Sequence, residues 1–185
     1  ITQFDTEAFA KDYKLSTQVA ARELRYNWFY ELLNDNNFDY LLTAHHADDN
    51  LETFLINLSR GTGIDGLTGI PIENEQVIRP LLLFSRDEIS IYAKENNISW
   101  REDSSNSSDK YLRNKIRHDL IPILKEINPN FLSSFQKTQN YLQEAKVMVE
   151  DASIMIYQQV AQEVGDDIHF DLKQLIRLSN YKSYL

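Results

Sequence analysis

The chain has 185 residues, 42% hydrophobic and 25% charged, which is the balance of a folded globular protein: one ordinary domain, or a modest domain with a helical appendage. No apolar run approaches the roughly 20 residues of a membrane span, no secretory leader pattern opens the chain, and the absence of cysteine excludes disulfides, thiolate metal sites and sulfur nucleophiles within it. A net charge of −9 makes nucleic-acid binding a poor default, yet residues 79–125 carry a net charge of +2 and form the one positive stretch where a polyanion would dock. A cytoplasmic protein is expected.

Residues 1–4 read as a strand end, and residues 6–13 as a short helix. Ser16 has the chemistry of an N-cap. Behind it Val19, Leu24, Trp28, Leu32 and Leu33 recur at helical spacing, so a helix is expected over 17–34, ended by Asn34-Asp35-Asn36-Asn37. Tyr40-Leu41-Leu42-Thr43-Ala44 is a short apolar run of the kind buried in a parallel sheet, and a second helix follows over 49–59. Residues 77–80 read as extended. Ser85-Arg86-Asp87-Glu88 is a capping box that opens a helix over 86–96. A polar loop over 103–109 precedes a helix over 110–120, with Pro122 near its end. Asn128-Pro129-Asn130 marks a boundary. After it Phe131, Phe135, Thr138, Leu142, Ala145, Val149, Ala152, Ile156 and Val160 step by three or four, the stripe of a long amphipathic helix packed on its neighbours. Residues 168–170 read as a strand, followed by a helix from Leu172. Strand and helix in alternation argue for an α/β layer fold with a parallel sheet, followed by a helical region.

Four of the five glycines lie between 61 and 69, and Gly61-Thr62-Gly63-Ile64-Asp65-Gly66 matches G-x-G-x-x-G. A dinucleotide turn must follow a strand and open a helix. This segment follows a helix and runs into Pro71, so a Gly61 C-cap and a tight irregular loop are expected instead.

The chemistry-bearing residues cluster after Ala44. In open α/β sheets ligands bind beyond the carboxyl ends of the strands, which places His45, His46, Asp48 and Asp49 in that crevice. Asp48 or Asp49 also stands at the start of a helix, where a carboxylate caps free amides. Two histidines and two aspartates in five residues exceed what capping needs, and Glu52 and Thr53 follow in support. Three readings stay open: a metal-dependent phosphohydrolase with His and Asp ligands, substrate positioning and proton transfer in group transfer, and a non-catalytic binding module. Arg113 and Arg117, four apart, share a helix face and could fork a phosphate. Arg22 and Arg25, three apart, form a second pair. Two arginine pairs suggest an anionic substrate, a nucleotide or a polynucleotide.

Taken together, Ala21-Arg22 with Arg25-Tyr26, His45-His46-x-Asp48-Asp49-Asn50-x-Glu52-Thr53, Arg60-Gly61-x-Gly63-x-x-Gly66-Leu67-x-Gly69, Arg79-Pro80-Leu81, Glu102-Asp103-x-Ser105-Asn106 and Arg113-Asn114-x-x-Arg117 with Pro122 resemble the tRNA(Ile)-lysidine synthase family over residues 20–125. The resemblance implies an adenine nucleotide alpha-hydrolase-like catalytic domain over 1–127, with a partial parallel sheet, and a truncated helical linker or substrate-binding domain over 128–185. It implies a ligase that adenylates the wobble cytidine of tRNA(Ile) bearing a CAU anticodon, after which the lysine amine displaces AMP. ATP, with Mg as its counter-ion, is the implied cofactor, no structural metal is implied, and the oligomeric state is left open, a homodimer included. His45, Asp48, Asp49, Asp103 and Arg113 are the implied catalytic residues. Arg22, Arg25, Arg60, Asn114 and Arg117 are the implied substrate- or phosphate-binding residues.

The family's phosphate-binding loop, Ser-Gly-Gly-x-Asp-Ser, is expected on a strand upstream of Ile1. On that reading the chain is a fragment lacking the N-terminal PP-loop, inactive alone and binding no ATP productively. The related tRNA thiolases resemble the same region but use cysteines, which this chain lacks. A helical interaction module over residues 130–163 is the third alternative.

Overall fold

The computed structural model describes residues 2–101 and 111–177. They form two compact units. The first holds residues 1–45 and 71–83, and the second residues 46–70 and 84–185.

In the first unit, helix α1 (Thr6–Asp12) is capped by Asp5, whose carboxylate accepts the Ala8 N–H at 3.0 Å. Helix α2 (Thr17–Asn36) starts at Ser16, which accepts the Val19 N–H at 3.3 Å, as its sequence predicts. It ends where Asn37 turns left-handed at φ 53° and the Phe38 N–H reaches back to the Leu33 carbonyl. Residues 2–5 are not a strand, contrary to expectation; Phe4 instead sets its ring edge-on to Trp28 of α2 at 6.2 Å.

The sheet of this unit has three short strands in the order β1–β3–β2, where β1 is Leu41–Leu42, β2 Glu73–Asn74 and β3 Val77–Ile78. β1 runs parallel to β3, and β2 pairs antiparallel with β3. The central strand buries Val77. The 40–44 run, expected to be buried, is not: Leu42 is 63% exposed. Among the described residues β1 pairs on one side only, so its second edge and outer face stay uncovered.

The second unit is mainly helical. Helix α3 (Ala47–Arg60) is followed by the Gly61 cap, at φ 74°, and then by a one-turn helix α4 (Ile64–Leu67) inside the glycine loop. Helix α5 (Arg86–Glu95) opens with the expected capping box: Ser85 Oγ accepts the Glu88 N–H at 3.1 Å, and Glu88 accepts the Ser85 N–H at 2.7 Å. Helix α6 (Tyr111–Lys115) passes into a π-helical turn, Ile116–Leu120, and then into α7 (Ile121–Ile127). The helix therefore does not stop near Pro122. Proline lacks the N–H of a regular turn and its ring presses on the preceding carbonyls, and the wider π turn lies directly before it.

Helix α8 (Phe131–Val160) matches the amphipathic stripe, with Phe135 and Val160 buried. Its inner face carries Gln139 as well, while Thr138 and Ala145 of the expected stripe are exposed. A hairpin of β4 (Ala161–Val164) and β5 (Asp167–Phe170) follows, of which the sequence pattern predicts only the second strand, and then α9 (Leu172–Arg177). The core of the unit joins Leu51, Ile116, Ile121 and Phe135, with Phe54 against Phe135 at 5.2 Å between ring centroids. An α/β region followed by a helical region is thus the observed architecture. No helix among the described residues is long and apolar enough to cross a membrane.

Candidate active site

The first two turns of α3 carry Asp48, Asp49, Glu52 and Thr53. Spacings of three and four put their side chains on neighbouring strips of the helix surface. His46, in extended conformation at φ −127°, is the N-cap. Its Nδ1 accepts the Asp49 N–H at 3.3 Å, while Asp49 Oδ2 accepts the His46 N–H at 3.1 Å. The cap expected of a carboxylate is thus supplied by an imidazole, and Asp49 completes a reciprocal box from inside the helix. Acceptance at Nδ1 requires that nitrogen to be unprotonated.

Three carboxylates so close on one helix would repel, and three cations from the helices after residue 110 face them. Lys125 Nζ lies 3.3 Å from Asp48 Oδ1, and Asp48 Oδ2 also accepts the Arg86 N–H at 2.9 Å. Arg117 grips Glu52 with both arms of its fork, Nε to Oε1 at 2.5 Å and Nη2 to Oε2 at 2.9 Å, and reaches Asp49 Oδ1 at 3.8 Å. Arg113 lies alongside: its Nε is 3.4 Å from Glu52 Oε2 and its Nη2 donates to Thr53 Oγ1 at 3.2 Å. The Nε approach is an ion-pair distance without hydrogen-bond alignment, since that nitrogen is buried without an acceptor. Thr53 Oγ1 donates in turn to the Asp49 carbonyl. The centre of the cluster is Glu52, 1% exposed. A pocket of about 260 Å³ opens beside it, lined by Asp48, Glu52, Arg86, Asp87, Arg117 and Lys125 together with Ile121 and Pro122. Its walls alternate in sign, which suits a polar ligand bearing both an ammonium and an anionic group.

Of the residues singled out from sequence, the second unit brings together Asp48, Asp49, Arg113 and Arg117. Asn114 is close in sequence, with a buried Oδ1 that lacks a donor. Arg60 is not in the cluster: it is exposed at the far end of α3, about 16 Å of helix from Asp49. His45 lies in the first unit, where its Nδ1 shares a hydrogen bond of 2.9 Å with Thr43 Oγ1. Arg22 and Arg25 are exposed on α2, also in the first unit. Asp103 lies outside the described residues.

Glu52 was legible only as a supporting group; that it is the hub follows from its contacts with Arg113 and Arg117, both more than sixty positions away. Lys125 had no local signal at all. As for the metal-ligand reading, Asp48 and His46 direct their acceptor atoms at protein donors, and among the described residues no group of three or more His, Asp or Glu is arranged to hold a metal ion.

A family model described as the PP-loop domain matches residues 1–124. The chain belongs to the PP-loop domain family. This corrects the expectation of a fragment lacking the PP-loop: the PP-loop domain is present, over residues 1–124. Curated relatives point the same way as the motifs. The chain is 45% identical over 141 residues to the tRNA(Ile)-lysidine synthase of Porphyromonas gingivalis strain W83, covering 76% of this chain and 31% of that protein. It is 47% identical over 131 residues to the tRNA(Ile)-lysidine synthase of Thermosipho africanus, covering 71% and 31%, and 42% identical over 154 residues to that of Petrotoga mobilis, covering 80% and 49%. This PP-loop domain chain thus spans 31–49% of the length of these relatives. The α3 cluster lies wholly inside the matched residues apart from Lys125, one position beyond them.

Proposed function

We propose that the protein is an ATP-using ligase of tRNA modification, joining lysine to the wobble cytidine of tRNA(Ile) with a CAU anticodon. The observation that carries this reading is the α3 cluster itself, in a chain 39–47% identical to proteins named for that product. It sets paired carboxylates beside a guanidinium with spare donors.

ATP, with Mg as counter-ion, supplies the adenylyl group that makes the cytidine carbonyl oxygen a leaving group. Arg113 fits an anion of this kind: its side chain is 40% exposed and its Nε has no acceptor among the described residues, so it can turn toward a phosphate without unpairing Glu52, which Arg117 still grips. Asp49 is the group suited to the lysine. The side-chain ammonium must lose a proton before its nitrogen can attack the cytidine carbon, and Asp49 Oδ1, 20% exposed and at 3.8 Å too far from Arg117 Nη2 for a hydrogen bond, can receive it. Asp48, tied to Lys125 and to the Arg86 N–H, orients rather than reacts. By the family resemblance, His45 and Asp103 are further catalytic residues in this reading, Asn114 orders the site, and Arg22, Arg25 and Arg60 bind phosphate or substrate, while Arg117 holds Glu52. Residues 128–185 begin the helical substrate-binding region.

The test uses the full-length protein with tRNA(Ile) transcript, ATP and labelled lysine. Asp49→Ala and Arg113→Ala should each lower lysine incorporation by about 10²-fold or more, with folding checked by circular dichroism. Wild-type turnover in Asp49→Ala would falsify the assignment of the site.

A further inference from the structure

The glycine loop after α3 is held by three side-chain amides. Asn50 Oδ1 accepts the Ile70 N–H at 2.7 Å, Asn57 Nδ2 donates to the Gly66 carbonyl at 3.0 Å, and Gln139 Nε2 donates to the Leu67 carbonyl at 2.8 Å. Two of these amides come from α3 and the third from α8, seventy-two positions along the chain from its partner. Two of them, Asn50 and Gln139, border Gly69, which has φ +74°; a Cβ there would stand 2.2 Å from Asn50 Oδ1 and 3.2 Å from Gln139 Oε1. Only a glycine fits both the left-handed backbone and the space.

Gln139 is the telling member. It lies one turn after buried Phe135 on the inward face of α8 and is 7% exposed, a register at which the stripe calls for an apolar side chain. A buried amide is disfavoured unless its polar atoms are bonded. Here Nε2 is bonded to the loop, while Oε1 is buried without a donor among the described residues. The glutamine is therefore not the best packing choice for this position, and what it adds over an apolar residue is the bond to the loop. At the other end of the same turn, Asn50 follows Asp49 directly and precedes Glu52 by two residues. The loop thus fastens the first turn of α3, which carries Asp49 and leads into Glu52, the two carboxylates that face Arg117.

We propose that Gln139 is a positioning residue of the α3 site, acting through the turn at 67–70 on Asn50 and so on the placement of Asp49. The proposal rests on the ligase reading of that site. α8 thereby belongs to the active-site framework and is coupled to the orientation of the reacting carboxylate.

The decisive variant is Gln139→Met, which keeps the volume and removes the donor. In the full-length enzyme it should lower kcat for lysine incorporation by about tenfold, leave the KM for ATP unchanged within error, and lose hydrogen-exchange protection in the peptide that contains Ile70. A filler of space alone would leave all three as in the wild type. Gly69→Ala pushes on the same turn from the other side and should give the same kcat loss; it carries the test if Gln139→Met does not fold. The double variant should lose no more than the larger single loss, because both break one link. Wild-type kcat in Gln139→Met or in a folded Gly69→Ala, in an enzyme that Asp49→Ala inactivates, overturns the proposal. Full turnover by Asp49→Ala overturns the reading of the site, and the proposal with it.

Discussion

The two arginine pairs look alike in sequence and differ in physical state. Arg22 and Arg25 stand exposed on α2, where the Arg22 guanidinium lies over the Tyr26 ring, 4.8 Å from its centroid. Arg113 and Arg117 close on a single carboxylate that is almost fully removed from water. The first pair remains open to solvent and to polyanions. In the second pair Arg117 is committed to holding Glu52 and Arg113 only partly so. Spacing brings two guanidiniums to one helix face in both cases, but burial of an acid opposite them decides whether they hold the fold or await a ligand.

The largest effect should come from breaking the buried pairing. Arg117→Ala leaves Glu52 buried with only the imperfectly aligned Arg113, which should cost about 3–5 kcal/mol in urea unfolding. Replacing both partners by methionine should recover most of that loss, since an apolar pair of similar volume needs no counter-charge. A small loss in Arg117→Ala would show that Glu52 is protonated or solvated in the folded protein and would erase the distinction between the two arginine pairs.

An intermediate effect is expected at α5, whose capping box is exposed rather than buried. Ser85→Ala should cost about 1 kcal/mol. The Ser85 hydroxyl first, and its backbone N–H second, hold the Glu88 carboxyl below its ordinary pKa. A depressed folded pKa contributes stability above the unfolded value and loses it as pH falls through the folded one. Stability should therefore fall on acidification below the usual carboxylate range, and Glu88→Gln should flatten that part of the profile in unfolding curves taken from pH 7 to pH 3. An unchanged profile would mean that the box adds nothing in solution.

The smallest stability effect belongs to the exposed pair. Arg25→Ala should change unfolding by no more than about 0.5 kcal/mol, and Arg22→Ala by about 0.5–1 kcal/mol through the lost Tyr26 contact. On the proposed function, their consequence should appear in tRNA binding instead: each substitution should weaken affinity and reduce the slope of log K against log salt by about one. If filter binding shows no change in slope, α2 does not contact the nucleic acid.

Local signals in the chain were dependable wherever one residue and its near neighbours decide the outcome. Ser16 and Ser85 cap as expected because a hydroxyl needs only an N–H three residues on. Gly61 ends α3 at positive φ, and the α8 stripe yields a thirty-residue helix. The errors fall where neighbours distant in sequence decide. Leu42 is exposed although its run looks like a core strand, because burial depends on what flanks β1. The helix after residue 110 runs past Pro122 because a π turn comes before it.

The candidate site divides along the same line. The sequence alone determined that His46, Asp48, Asp49, Glu52 and Thr53 crowd one helix start, since a period of 3.6 residues places them there in any fold. Only the tertiary structure decided what each does. Glu52 becomes the hub because Arg113 and Arg117 arrive from sixty positions away, Asp48 is tied down by Lys125 and the Arg86 N–H, and Gln139 reaches the glycine loop from α8. Helical spacing is a local property of the backbone, whereas the desolvation that turns a charge into a structural or a reactive group depends on which distant segments cover it.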